Sequence, residues 1–251
     1  VDVFTPHVKN IMRIIELAGG DIGGLVFSPL VASRSALSKS QKDLGVALID
    51  LGFGTTGLGV YEENKLVGVA KFPIGAGNIS NDLAIGLKIP VDAAENLKLH
   101  YGYALSREIN AKETIELKKF VPDAKGAVSR RFVSEIIETR LAEIFELVNI
   151  ELKSIGKAGQ LPGGVVLVGG GAKLPGLTEL VKQELKLSNQ IGFALQHEWS
   201  MEGEGFSELL EDPEFVGALG LVLWGVDEEQ WGSGVGVSGF KIKNLIRYFL
   251  P

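Results

Sequence analysis

Cysteine is absent from all 251 residues, so neither a disulfide nor a thiolate metal site can form. A chain without cysteine suits a reducing compartment. Histidine is scarce: His7, His100 and His197 stand far apart, in no metal-ligand spacing, and read as ordinary surface or helix residues. No apolar run reaches the roughly 20 residues needed to span a bilayer. The longest is FVGALGLVLWGV at 215–226, and VDVFTPHVKN at the start does not read as a secretory leader. Positive charge is in the minority, 25 Lys and Arg against 31 Asp and Glu, for a net charge of −6. Bulk electrostatics therefore gives no support to nucleic-acid binding.

What is present is an ordinary globular composition, 45% hydrophobic and 22% charged, on a chain long enough for a substantial core. Thr5 followed by Pro6 starts a helix, Val8, Ile11, Met12 and Ile15 give it an apolar face, and Gly19-Gly20 stop it. GGLVFSPL at 23–30 reads as a buried strand and ASRSALS as a short helix. Val46, Leu48 and Leu51 mark a strand, Leu58 and Val60 its hairpin partner, and Leu66, Val67 and Val69 a third strand after a turn at 62–64. Two short helices punctuated by Gly86 and Pro90 follow, then polar, alternating residues 106–127 that read as edge strands. In the long helical pattern 129–156, Val133, Ile137, Leu141, Ile144 and Val148 share one face. Residues 163–185 read as a buried strand, a triple-glycine turn and a helix with Leu177, Leu180, Val181 and Leu185 inward. Asp212-Pro213 starts a last helix, and GSGVGVSG at 232–239 is a flexible tether. Hairpins mixed with crossovers make the fold class α/β with a mixed sheet.

Three signals carry chemistry. In DLGFGTT, Gly52, Gly54, Thr55 and Thr56 form a tight turn between two strands, with the Asp50 carboxylate at its mouth. Such a turn presents backbone amides and hydroxyls to an oxyanion, and the acid can hold a hydrated metal ion; taken alone, most such turns are merely turns. In VVLVGGGAKLPG, Gly169, Gly170 and Gly171 let a ligand lie against bare backbone, or simply make a tight strand-to-helix turn. In AENLK, Glu95 and Lys98 share a helix face and could grip a ribose and base edge, or form a solvated charge pair.

Taken together and in this order, DLGVALIDLGFGTT, NDLAIGL, AENLKLHYG, SRRFVSEIIETRLAEIF, GVVLVGGGAKLPGL and FVGALGLVLWG resemble the second half of the actin/Hsp70/sugar-kinase nucleotide fold, and within it the FtsA family of bacterial division proteins. The resemblance runs over about residues 1–226. It implies an actin-like (ribonuclease H-like) fold and an ATP-binding filament former that ties the FtsZ ring to the cytoplasmic face of the membrane at the septum. By motif, Asp50 would hold a hydrated Mg²⁺, and Gly52, Gly54, Thr55 and Thr56 the β- and γ-phosphates. Glu95 and Lys98 would meet the ribose and adenine edge, Gly169–Gly171 would underlie the nucleoside, and Lys173 would stand beside the base. Helix 129–150 matches the subdomain that receives the FtsZ tail and helps filament contacts. The domain plan it implies is a remainder of the first domain at 1–44, a nucleotide domain at 45–78 and 157–226, and an inserted subdomain at 79–156. Helix 213–226 would return to the first domain.

The chain departs from the family pattern in two places in the turn: Phe53 stands at a usual glycine and Gly57 at a usual acid. A left-handed backbone at position 53 would cost Phe about 1–2 kcal/mol; alternatively the ring packs under the turn. The expectation is ATP binding with slow or no turnover. Only one such hairpin occurs, and the opening residues resemble a middle portion of FtsA, so half of the cleft and weak affinity in isolation are expected. A pilus or secretion adaptor of the PilM type is the alternative within the fold, and a sugar or acetate kinase the less favoured enzyme. An Hsp70-type chaperone, with a β-rich peptide-binding domain after the ATPase, is not expected from residues 227–251.

After a linker at 227–239, the segment 240–251, FKIKNLIRYFLP, places Ile242, Leu245, Ile246, Phe249 and Leu250 at helical spacings, with Lys241, Lys243 and Arg247 and no acid. It reads as an amphipathic helix lying in an anionic membrane surface, or as a helix docked on the core. Its apolar burial and basic groups only roughly offset the cost of ordering a dozen residues. One tail would bind marginally; several on one filament would bind firmly.

Overall fold

The computed structural model of the chain describes residues 5–122, 124, 126–199 and 206–231. Helix α1 (Thr5–Leu17) forms where Thr5-Pro6 places it, but buries none of its residues; Ile11, Ile14 and Leu17 stay exposed. Residues 28–30 open α2 (Ser28–Ala36) instead of closing a strand, because Pro29 sits in the first helical turn where its missing N–H costs nothing. Helix α3 (Lys39–Leu44) starts from a capping box of Ser38 and Gln41.

The three expected strands are β1 (Val46–Leu51), β2 (Thr56–Glu62) and β3 (Lys65–Phe72). Glu63 and Asn64 both take positive φ, 50° and 59°, the geometry that matches a two-residue hairpin turn to the twist of its strands. Helices α4 (Ala76–Leu87) and α5 (Val91–Tyr101) follow. The polar stretch 106–127 builds only short 3-10 turns and a small separate hairpin, β4 (Thr114–Glu116) with β5 (Ala127–Ser129), not edge strands of the main sheet. Then come α6 (Arg130–Ser154), β6 (Val165–Val168), α7 (Leu177–Leu185), β7 (Asn189–Ile191), α8 (Phe206–Leu210) and α9 (Val216–Trp231).

The main sheet has the order β3-β2-β1-β6-β7. Its first three strands run antiparallel, and β6 and β7 run parallel to β1. Strand β1 is central and sends side chains to both faces. Ala47, Ile49 and Leu51 join a large core with α4–α7, while Val46 and Leu48 pack with α2 and Val216. Val133, Ile137, Leu141, Ile144 and Val148 of α6 are all fully buried, as their spacing requires. On the opposite face α9 crosses α2 so closely that a Cβ on Gly220 would lie 2.0 Å from the Val31 carbonyl oxygen. Ser35 Oγ donates to the Val216 carbonyl at 2.7 Å. Arg34 grips Asp227 through two nitrogens at 2.5 and 3.1 Å, and its hydrogen bond holds the Asp227 carboxyl below the ordinary range against the pull of burial.

Candidate nucleotide site

Parallel pairing sets Asp50 of β1 beside Val168 of β6, so the two strands deliver their following turns to one place. There the turn 52–55 and the glycine triplet 169–171 face each other. Gly169 takes φ +88°, and a Cβ on it would fall 2.7 Å from Asp50 Oδ1 and from the Leu51 carbonyl oxygen. A Cβ on Gly171 would fall 2.4 Å from Leu51 Cγ. Only glycine permits this approach at both positions.

The turn is more specialised than its composition suggests. Gly52 N–H closes it onto the Thr55 carbonyl at 3.0 Å. The carbonyls of Gly52 and Phe53 accept the Ala76 and Gly77 amides at 2.9 and 2.7 Å, so the turn caps α4. Thr56 is fully buried and donates its hydroxyl to the Ile74 carbonyl at 2.8 Å. Among the described residues the amides of Phe53, Gly54 and Thr55 donate no backbone hydrogen bond. Consecutive undonated amides beside a threonine hydroxyl are a suitable seat for a phosphate oxyanion. Of the four turn residues named from sequence, Gly54 and Thr55 offer free donors, whereas the Gly52 amide and Thr56 hydroxyl are spent inside.

Phe53 is not among the residues of positive φ, so a side chain there carries no left-handed strain. Its ring does not lie under the turn; it rests on α4 at Gly77, 65% exposed. Beside the turn, burial raises the Asp50 carboxyl above the ordinary range, and the charge of Lys71 pulls it partly back. Lys71 and Asp50 are both paired with Gly57, so they flank one residue without a side chain. The space at Gly57 is taken by Pro29, whose Cγ lies 2.8 Å from where a Cβ would be. An acid of the family pattern would collide there.

Lys98 is buried, at 6% exposure, and not part of a solvated pair. Its ammonium donates to the Ala76 carbonyl, Ser80 Oγ and Glu95 Oε2 at 3.0, 3.0 and 2.8 Å. Those three acceptors match its three protons. Ser80 Oγ also donates to Glu95. The structure thus spends this pair on joining α5 to α4 next to the turn. Lys173 lies at the glycine turn and bridges Asp212 and Glu214 at 2.7 and 3.2 Å. Glu214 stands against Gly170, and the Gly169 amide donates to the Pro213 carbonyl at 2.8 Å. This acidic brace escaped the sequence because nothing in the order of residues links 212–214 to a turn about 40 positions earlier; Asp212-Pro213 signalled only a helix start. Ser80 was missed likewise.

Among the described residues no three His, Asp or Glu side chains form a metal-ligand cluster. A Mg²⁺ held through water by one carboxylate and by phosphates needs none. No described helix is long and apolar enough to cross a membrane. Residues 240–251, with Lys241, Ile242, Lys243, Leu245, Ile246, Arg247, Phe249 and Leu250, lie outside the described residues.

Solved structures share this architecture. MreB 5 of Spiroplasma citri bound to AMPPNP matches with a TM-score of 0.71 at 16% identity, over 93% of this chain and 68% of that one. The PilM–PilN type IV pilus biogenesis complex matches with 0.63 at 22%, over 87% of this chain and 57% of that one. The fold is actin-like. Residues 47–220 match the family model of the cell division protein FtsA, and the chain belongs to the FtsA family. FtsA of Bacillus subtilis is 35% identical over 86% of this chain and 46% of its own length. That of Borreliella burgdorferi is 33% identical over 95% and 57%, and that of Pseudomonas aeruginosa 29% over 92% and 54%. The chain spans about half the length of these curated relatives.

Proposed function

We propose that the chain supplies the second half of an ATP–Mg²⁺ cleft in an FtsA-type filament protein that links FtsZ to the cytoplasmic face of the membrane during division. The observation that carries it is the meeting of the 53–55 amides, the Asp50 carboxylate and the Gly169–Gly171 turn at the ends of two adjacent parallel strands. The free amides and Thr55 hydroxyl would hold phosphate, Asp50 a water of Mg²⁺, and the glycine turn the nucleoside. Bound Mg²⁺ neutralises phosphate charge. The MreB 5 match, itself bound to AMPPNP, supports the reading. A usual acid of the turn is replaced by Gly57, which favours binding over hydrolysis.

For the FtsZ tail, a groove of about 400 Å³ beside α4 and α6 supports the placement on α6. Phe132, 43% exposed, and Ile136 give it apolar contact. Arg140, bidentate to Asp82 at 2.5 and 2.8 Å, and Glu143 edge it with charge. The basic amphipathic segment 240–251 is the proposed membrane contact, and assembly of copies would multiply it. Anionic liposomes should sediment the chain, and replacing Leu245 and Ile246 with Glu should abolish co-sedimentation; undiminished sedimentation would refute the tail as anchor.

Asp50→Asn tests the nucleotide reading. A carboxyl whose folded pKa is raised weighs against the fold once pH climbs through that pKa, and is harmless below the unfolded value of about 4. The variant should therefore melt higher than the parent at pH 7, with the gap closing toward pH 4, while Mg²⁺-dependent ATP binding measured by calorimetry falls. Unchanged Mg²⁺-dependent ATP binding would remove Asp50 from the site.

A further inference from the structure

Helix α4 begins without a capping side chain. Its N-cap position holds Gly75, where Ser, Thr, Asp or Asn is the usual choice. The first two amides of the helix go instead to the phosphate-type turn, Ala76 to the Gly52 carbonyl and Gly77 to the Phe53 carbonyl. These two bonds fix the direction of two peptide planes. The peptide bonds are trans, so the N–H of each plane points opposite to its C=O. With the carbonyls of 52 and 53 drawn toward the helix, the amides of Phe53 and Gly54 are turned away from it, and neither donates a backbone bond.

The approach requires a bare Cα. A Cβ on Gly75 would fall 2.5 Å from the Gly52 oxygen, 2.6 Å from the Phe53 oxygen and 2.7 Å from the Thr55 nitrogen, all backbone atoms of the turn. Glycine is not needed there for its conformational freedom: φ is −156° and ψ −168°, extended values open to any residue. The Gly75 amide donates to Asn78 Oδ1 at 3.0 Å, and its carbonyl accepts the Asn78 amide at 3.0 Å. From the α5 side the Lys98 ammonium holds the Ala76 carbonyl at 3.0 Å.

We propose that Gly75 is a positioning residue for the phosphate seat: it lets α4 draw in two carbonyls of the turn and so sets the outward amides before any ligand arrives. This rests on the nucleotide reading of the site and adds to it a residue outside the turn. Donors fixed in advance hold an oxyanion without the cost of reorienting peptide planes on binding.

The experiment is calorimetric titration of the chain with ATP–Mg²⁺ and with adenosine, in the parent and three variants. Gly75→Ala adds one methyl group where the backbone accepts it, so its effect comes through the turn. The ratio of ATP affinity to adenosine affinity should fall about tenfold, the size of one lost hydrogen bond to a charged group. Asn78→Ala frees the Gly75 amide and should lower the ratio about threefold. Gly163→Ala is the matched control: its Cβ would fall 2.7 Å from the Gly45 carbonyl oxygen, at the end of β6 opposite the glycine turn. It strains the fold comparably and should keep the parent ratio. An unmoved ratio in Gly75→Ala, or an equal fall in Gly163→Ala, overturns the proposal and leaves the nucleotide site standing. A parent that binds neither ligand, or ATP no tighter than adenosine, refutes the phosphate seat and this inference with it. Should Gly75→Ala fail to fold, Asn78→Ala carries the comparison, and an unmoved ratio there overturns the proposal.

Discussion

Replacing Lys98 by methionine should lower the free energy of unfolding by about 3 kcal/mol, the lower end of what removing one partner of a buried ion pair costs. The lysine is 6% exposed and its Glu95 partner's side chain 27%, so the stranded carboxylate keeps some access to water. The loss has three parts: the Ala76 carbonyl and Ser80 Oγ each lose a donor, and Glu95 keeps only the Ser80 hydroxyl. Glu95→Gln strands the more buried charge, an ammonium left with three neutral acceptors, and should cost at least as much. The double variant should cost less than the two single losses together, because each partner's burial is expensive mainly when the other is missing. Urea titrations of the four proteins check this; an exposed i,i+3 pair would give about 0.5 kcal/mol or less. A change of that size for Lys98→Met would show that the network is not closed in solution.

Gly220→Ala should cost about 2–4 kcal/mol, measured the same way. In a free helix this substitution gains about 1 kcal/mol. Here the added Cβ would stand 2.0 Å from the Val31 carbonyl oxygen and 2.7 Å from its carbon, backbone atoms that cannot rotate away. The helices α2 and α9 must part, and with them go the Ser35–Val216 bond and the Arg34–Asp227 bidentate pair. Gly217, one turn earlier, meets nothing within 4 Å of a Cβ. Gly217→Ala should therefore be neutral or stabilising, which separates helix propensity from the close crossing.

Much of the fold was legible because it rests on short-range periodicity. The α6 positions spaced by three and four are buried without exception, and so are Leu177, Leu180, Val181 and Leu185 of α7. The turn and the glycine triplet could be read as partners only through the resemblance to the FtsA family; the parallel pairing of β1 with β6 is what delivers both to one place. What stayed hidden depends on contacts distant in sequence. Strand β7 is three residues long, and its pairing with β6 is all that makes Asn189–Ile191 a strand. Residues 23–30 look apolar enough for a strand, but Pro29 turns them toward helix and packs against Gly57. Lys98 looked like one half of a surface pair, since nothing local reveals that α4 lies over it. The Phe53 backbone offered no clue either way: only its seat on Gly77 shows where the ring goes.

The link between Gly169 and Pro213 has a mechanical side. The glycine turn is held at its back by the turn segment that leads into α9: the Gly169 amide bonds the Pro213 carbonyl, and Lys173 bridges Asp212 and Glu214. Helix α9 is in turn locked to α2. A load applied beyond the end of α9 would travel down the helix to the bonds that brace the glycine turn, the wall proposed here for the nucleoside. Tension on that end of the molecule would therefore bear on the glycine turn through the Gly169–Pro213 and Lys173 bonds.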